Sequence, residues 1–227
     1  MTRLLAMHPE VVDVGTGQFD EGQYIWRRKY PDWSRHRWAI PPWRWFMRRT
    51  GEGLSRKELE FFRAAFRSAW ATAGSEGRML EKTPANAVRI PLIHRLYPDC
   101  RFVHVIRDGR DTSASLMARK VAWWFAPHQW VGAHSTALPD LERLPASRVT
   151  FVRYETLVAE PEMALRDLCR GCGLAWGPYE AGLLCDAAQV LIQPVENRWE
   201  RLPRHQRRYI LRVIGPLQQE LGYPVEL

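Results

Sequence analysis

The chain has 227 residues, 46% hydrophobic and 26% charged, with a formal net charge of +8. That mixture excludes a disordered tail or a fibrous repeat and suits a single globular domain, residues 1–227, with one sizeable core. The positive balance points to an anionic partner, whether nucleotide, nucleic acid or acidic acceptor.

In chain order, residues 1–11 read as a helix closing at His8-Pro9, followed by a strand over Val11 to Val14. Residues 19–50 are rich in Trp, Arg and Pro, with Trp26, Trp33, Trp38, Trp43 and Trp45, and keep no sustained period. They read as an irregular lid or acceptor-site segment, or equally as a surface flap packed by its own rings. Leu59, Phe62, Phe66, Ala69 and Trp70 recur at helical spacing and predict an amphipathic helix over 55–73 whose stripe is core. A short strand over 78–81 leads to Lys82-Thr83-Pro84, and a helix over 86–96 ends at Tyr97-Pro98. Phe102 to Ile106 is short, apolar and β-branched, as a strand covered on both faces should be. Further helices are predicted at 109–119, 122–136, 161–172, 178–187 and 204–220, with a strand from Val149 up to Tyr154. The alternation of strands and helices predicts an α/β fold with a mainly parallel central sheet between two helical layers.

The junction after Ile106 carries the most chemistry. Arg107 offers a planar fork of donors, Asp108 and Gly109 turn the chain, and Ser113 and Ser115 place hydroxyls on the first helical turns. The helix start would direct unpaired N–H groups and a positive dipole end at an anion. The alternative is an ordinary corner in which Arg107 pairs with Asp108 or Asp111. Cys100, Cys169, Cys172 and Cys185 include one Cys-x-x-Cys, on a stretch of helical spacing. Without a second ligand pair at zinc spacing they read as reduced thiols, and no metal is expected. No apolar run is long enough for a bilayer and no signal-peptide pattern opens the chain, so a cytoplasmic protein with no membrane partner is expected.

Several motifs occur in a telling order: Leu80-Glu81-Lys82-Thr83-Pro84-Ala85-Asn86, Leu96-Tyr97-Pro98, Arg107-Asp108-Gly109-Arg110, Ser115, Arg119-Lys120-Val121, Val152-Arg153-Tyr154-Glu155, Pro194 to Trp199, and Leu221-Gly222-Tyr223. In these the chain resembles the sulfotransferase superfamily, enzymes that move a sulfuryl group from 3′-phosphoadenosine 5′-phosphosulfate (PAPS) to an acceptor. It is most similar to the tyrosylprotein sulfotransferase branch and its bacterial relatives, over nearly the whole chain from Thr2. The resemblance implies a three-layer, P-loop-like fold with PAPS as co-substrate and no metal. It implies that Lys82 supplies the cation on the transferring sulfate and leaving oxygen. Arg107, Ser115 and Arg198 would hold the 3′-phosphate, Tyr154 would contact adenine, and Trp199 would anchor the Arg198 loop. Glu21, in Asp20-Glu21-Gly22-Gln23, is the best match to the family's general base, since bacterial members carry the same four residues.

The family's opening strand and glycine loop, which cradle the 5′-phosphosulfate, have no counterpart here. Gly15-Thr16-Gly17 and Gly51-Glu52-Gly53 each lack a buried strand leading into a helix. A start truncated past that loop is therefore expected, ahead of a degraded relative. Asp186-Ala187-Ala188 stand where the tyrosylprotein branch has a serine, which leaves the acceptor open. The expected activity is in-line sulfuryl transfer from PAPS to a hydroxyl or amine acceptor. The alternatives are an inactive or truncated relative that only binds 3′-phosphoadenosine nucleotides, and a basic nucleic-acid-binding protein. The last ranks lowest, and no nucleic-acid partner is expected, because the sequence shows no basic helix face or aromatic platform.

Overall fold

A computed structural model of the chain describes residues 2–15, 23–27, 38–41, 44–45, 48, 54–74, 76–177 and 198–227. The chain opens with α1 (Thr2–Ala6), β1 (Val11–Asp13) and α2 (Gln23–Arg27). Next comes α3 (Arg56–Thr72), started by a capping box in which Ser55 Oγ accepts from Glu58 N and the Glu58 carboxylate accepts from Ser55 N. Its buried stripe is Leu59, Phe62 and Phe66. β2 (Arg78–Leu80) follows. The single helix expected over 86–96 is instead a 3₁₀ turn (Pro84–Val88) and then α4 (Ile90–Leu96). Pro91 is the reason: without an N–H it belongs in the first turn of a new helix, not inside a longer one.

β3 (Phe102–Ile106) runs into α5 (Gly109–Ala118), and α6 (Ala126–Glu142) starts later and ends later than the expected 122–136. Pro127 fits the first turn of α6, and Pro139 falls in its last turn, where it does not stop the helix. β4 (Val149–Arg153) is followed at once by α7 (Tyr154–Ala159), a helix the sequence did not predict. α8 (Pro161–Cys172) ends on Gly173, which takes the left-handed conformation at φ 62° and lets Leu174 N donate to Cys169 O at 2.8 Å. The last helix is α9 (Arg204–Glu220).

The strands pair in parallel as expected: β1 with β2, Val11 opposite Arg78, and β3 with β4, Phe102 opposite Val149. Among the described residues the ladders form two pairs, not one continuous sheet. Packing still unites them. Leu4 and Leu5 of α1, Val152 of β4, Leu157 of α7 and Leu165 and Leu168 of α8 make one core, against which Val11, Leu80 and Val103 pack. The alternate strand residues face the other way, as a period of two requires. Met79 meets Trp26, Phe62 and Phe66 of α2 and α3, and Phe102 with Val149 meets Ile90, Ala137 and Leu141 of α4 and α6. Helices therefore cover both faces, the three-layer arrangement of an α/β fold.

The described parts of segment 19–50 divide: Ile25, Trp26, Trp38 and Ala39 are core, whereas Trp45 is exposed. Trp26 is 1% exposed and packs on Phe62 with ring centroids 5.0 Å apart, and Trp38 and Ala39 are buried against Ala85 and Val88. A Cβ at Gly132 of α6 would overlap the Ala39 carbonyl, so glycine there permits the close crossing. Arg48 holds the buried Asp140 of α6 with two bonds of 2.7 and 2.8 Å. Cys169 and Cys172 are buried free thiols in the first core, and burial, with Cys172 adding, pushes the Cys169 thiol up to about 11. Glu21, Cys185, the helix expected at 178–187 and Pro194 to Asn197 lie outside the described residues. Among those described, no helix is long and apolar enough to cross a membrane.

Between β3 and α6 a pair of histidines faces inward, His104 Nε2 lying 3.0 Å from His134 Nδ1, so one ring donates and the other accepts. Burial lowers His104 to about 4, and burial together with the His104 charge lowers His134 to about 3. Unfolded histidines titrate near 6.5, so below that pH the unfolded chain binds more protons than the folded one. The contribution of the neutral pair is complete above that value and is lost as the pH falls. At pH 5 this should remove on the order of 2 kcal/mol per histidine, read by urea unfolding across the pH range. His134→Phe should flatten the acid limb; an unchanged limb would mean that other groups set it.

Candidate functional site

The β3–α5 junction is held by side chains from four elements. Arg107 leaves the end of β3 and lays its guanidinium 4.5 Å from the centre of the Tyr154 ring, at the start of α7. The parallel register explains the meeting. Ile106 stands opposite Arg153, so the next residue on each strand is Arg107 on one side and Tyr154 on the other. Tyr154 is thus a helix-start residue, not the end of a strand. Arg107 Nη2 lies 3.3 Å from Asp111 Oδ2, and Trp130 Nε1 of α6 donates to the Arg107 carbonyl at 3.0 Å. Its Nε is buried and finds no acceptor among the described residues, nor does the hydroxyl of Ser113, which is 0% exposed.

The amides at the start of α5 do not wait for an external anion. Asp108 caps the helix, Oδ1 accepting from Arg110 N at 2.7 Å, and the Arg110 side chain pairs with the same carboxylate at 2.7 Å. The buried Gln218 of α9 accepts from Gly109 N at 2.9 Å and donates to Asp108 Oδ1 at 2.7 Å. Asp108 N donates to Glu155 Oε1 at 2.9 Å. Although burial opposes it, these bonds from Arg110 and Gln218 hold the Asp108 carboxyl below its ordinary range. The amides of Asp108, Gly109 and Arg110, expected to face an anion, are instead bonded by protein groups, and the ion pair with Asp111 foreseen for an ordinary corner is present. The Arg107 side chain keeps a donor for a ligand at this junction.

Ser115 is half-buried on α5, the helix that follows Arg107. Trp199 is buried against Trp130, Ile210 and Ile214, which makes it an anchor for the turn that bears the exposed Arg198. With Asp108, Arg110, Asp111, Glu200, Arg207 and Leu227 it lines a cavity of about 380 Å³ beside the junction.

Lys82 is half-buried in the loop directly after β2. Its neighbour Glu81 accepts from Thr83 Oγ1 at 2.6 Å and from Asn86 Nδ2, so this carboxylate braces the Lys82-Thr83-Pro84 turn. Burial raises its proton affinity, and Thr83, Asn86 and Arg89 oppose the rise. Glu81, from sequence a possible partner for Lys82, instead accepts from Thr83 and Asn86, and Glu155, next to Tyr154, reaches the Asp108 amide with only that adjacency to signal it.

One further surface departs from expectation. α9 carries Arg204, Arg208 and Arg212 on one face, and with His205 and Tyr209 they line an open groove of about 540 Å³. The Trp123 ring meets Tyr209 at 5.2 Å. A basic helix face beside aromatic rings is present, contrary to the expectation from sequence.

The fold is that of known sulfotransferase domains. A sulfotransferase domain from the curacin biosynthetic pathway superposes with a TM-score of 0.62 at 13% identity, covering 99% of this chain and 93% of that one. The sulfotransferase domain of the Synechococcus PCC 7002 olefin synthase gives 0.56 at 14% identity, covering 95% and 90%. In sequence, protein-tyrosine sulfotransferase 2 of Gallus gallus is 27% identical over 47% of this chain and 31% of its own length. A putative protein-tyrosine sulfotransferase of Caenorhabditis elegans is 43% identical over 19% of this chain and 17% of its own. An uncharacterized protein of Aquifex aeolicus (strain VF5) is 22% identical over 63% of this chain and 21% of its own. The chain thus spans between a sixth and a third of the length of these curated relatives. The model of the sulfotransferase family matches residues 1–178, which takes in Lys82, the β3–α5 junction and Tyr154, and the chain belongs to that family.

Proposed function

We propose that the chain acts as a single domain that transfers a sulfuryl group from PAPS to a hydroxyl or amine acceptor. One observation carries the reading: the Arg107 guanidinium is stacked on Tyr154, keeps only a 3.3 Å contact to Asp111, and has a buried Nε without an acceptor among the described residues. A fork with a spare, half-desolvated donor suits a phosphate oxygen, and the aromatic ring beside it suits a nucleobase. Arg107, with Ser115 and Arg198, would hold the 3′-phosphate, Tyr154 would contact adenine, and Trp199 would fix the loop of Arg198.

PAPS supplies a sulfuryl group on a good leaving group, so the protein's share of the work is positioning and charge stabilisation. Lys82 would neutralise charge on the sulfate and the departing oxygen. Glu21 would accept the acceptor's proton as the new bond to sulfur forms. The test is transfer of labelled sulfate from PAPS to a panel of hydroxyl and amine acceptors, with calorimetry against adenosine 3′,5′-bisphosphate. Transfer is expected; binding without transfer would favour a nucleotide-binding relative. The groove of Arg204, Arg208 and Arg212 favours one other reading, a polyanion binder. Affinity for nucleic acid that collapses with salt, together with indifference to the bisphosphate, would support it over sulfuryl transfer.

A further inference from the structure

Beyond the last rung of the β3–β4 ladder, side chains continue the register. Ile106 pairs with Arg153; one residue on, Arg107 stacks on Tyr154 at 4.5 Å; one further, the Asp108 N–H donates to Glu155 Oε1 at 2.9 Å. The second oxygen of Glu155 accepts the Tyr223 hydroxyl at 2.8 Å. Burial first, and then the bond to Glu155 and its charge, raise the Tyr223 phenol, so it stays protonated and donates. Tyr223 is placed in turn by Arg153, which lies 4.8 Å from its ring centre and donates to Leu221 O at 2.6 Å. On the opposite side Gln218 bonds Gly109 N and the Asp108 carboxylate and donates to Pro224 O at 3.1 Å. Gln218 of α9 and Tyr223 after it thereby hold the two residues that follow the stack, Asp108 and Glu155.

We infer that Glu155 is a positioning residue for recognition of a nucleotide 3′-phosphate, acting through Arg107; this rests on the reading of Arg107 given above. Asp108 has φ −45° and ψ 127°, outside the helical region, so the direction in which Arg107 departs depends on how this one peptide is held. Glu155 holds it to the helix that carries Tyr154. Trp130 Nε1 holds the carbonyl of the same peptide from α6. Without the Glu155 bond the peptide loses its tie to the helix that carries Tyr154, and the stack is no longer held against the competing contact to Asp111.

The experiment is a double-mutant cycle on nucleotide affinity. Calorimetry would use adenosine 3′,5′-bisphosphate, with adenosine 5′-phosphate as the probe lacking the 3′-phosphate. Glu155→Ala should weaken the bisphosphate about tenfold, the effect of one hydrogen bond to a charged group, and leave the monophosphate unchanged. Glu155→Gln, whose amide oxygen still accepts from Asp108 N, should restore most of the affinity. In an Arg107→Ala background the Glu155→Ala loss should vanish, because the two act in series. Equal loss of both nucleotides, or losses that add in the double variant, would overturn the inference and leave Arg107 as a phosphate ligand. Arg107→Ala with full bisphosphate affinity would overturn both. Should Glu155→Ala not fold, Tyr223→Phe removes only the donor to Oε2, and a loss of roughly threefold, again absent without Arg107, supports the same conclusion; no loss overturns it.

Discussion

Lys82→Ala should slow sulfuryl transfer by about 10²–10³-fold, the usual loss when one preorganised charge is removed from a transition state. The lysine stands in the loop after β2, and Thr83 and Asn86 brace Glu81, which fixes the turn that presents it. The loss should fall on kcat, with affinity for adenosine 3′,5′-bisphosphate changed far less, because the charge is needed most as the leaving oxygen departs. Lys82→Arg should recover only part of the rate, since a planar guanidinium does not reproduce a compact point charge. Single-turnover transfer with saturating nucleotide measures this directly. A Lys82→Ala enzyme with unaltered kcat would remove Lys82 from the chemistry.

Phe62→Ala should cost roughly 3–5 kcal/mol of stability, as expected for a fully buried ring whose site cannot collapse. Phe62 is 0% exposed, packs on Trp26, which also meets Phe66 of the α3 stripe, and shares a core with Val14, Leu92 and Leu96. For a chain of this size the melting temperature should drop by about 10 °C. Phe62→Leu should recover much of the loss. A calorimetric change under about 1 kcal/mol in the alanine variant would show that α2 and α3 repack around the gap.

Elements whose own residues specify them could be read in the sequence. α3 declared itself through Ser55, Glu58 and its apolar spacing, and α8 and α9 through a proline at the start and a regular stripe. β3 was legible because its apolar residues are few and β-branched. α7 was not, since it follows Arg153 without a spacer and its N-cap makes no side-chain bond. The break at Pro91 and the survival of Pro139 within α6 turned on where a missing N–H falls in the helix, a matter of one or two residues.

At the site, Arg107 and Tyr154 could be picked out singly by motif, and the structure adds that they touch. The bonds from Gln218, Glu155 and Tyr223 lay beyond sequence reasoning, because they join positions 47 to 110 residues apart with no periodicity to announce them. The same holds for His104 and His134, 30 residues apart. Helix-dipole reasoning pointed to a bare helix start at α5; the acid that fills it was the neighbouring Asp108 itself.

That self-made cap decides the direction from which a charged guest arrives. Along the α5 axis the Asp108 carboxylate, already paired with Arg110, stands where an anion would otherwise sit. The proposed nucleotide would therefore reach Arg107 from the side on which Tyr154 lies.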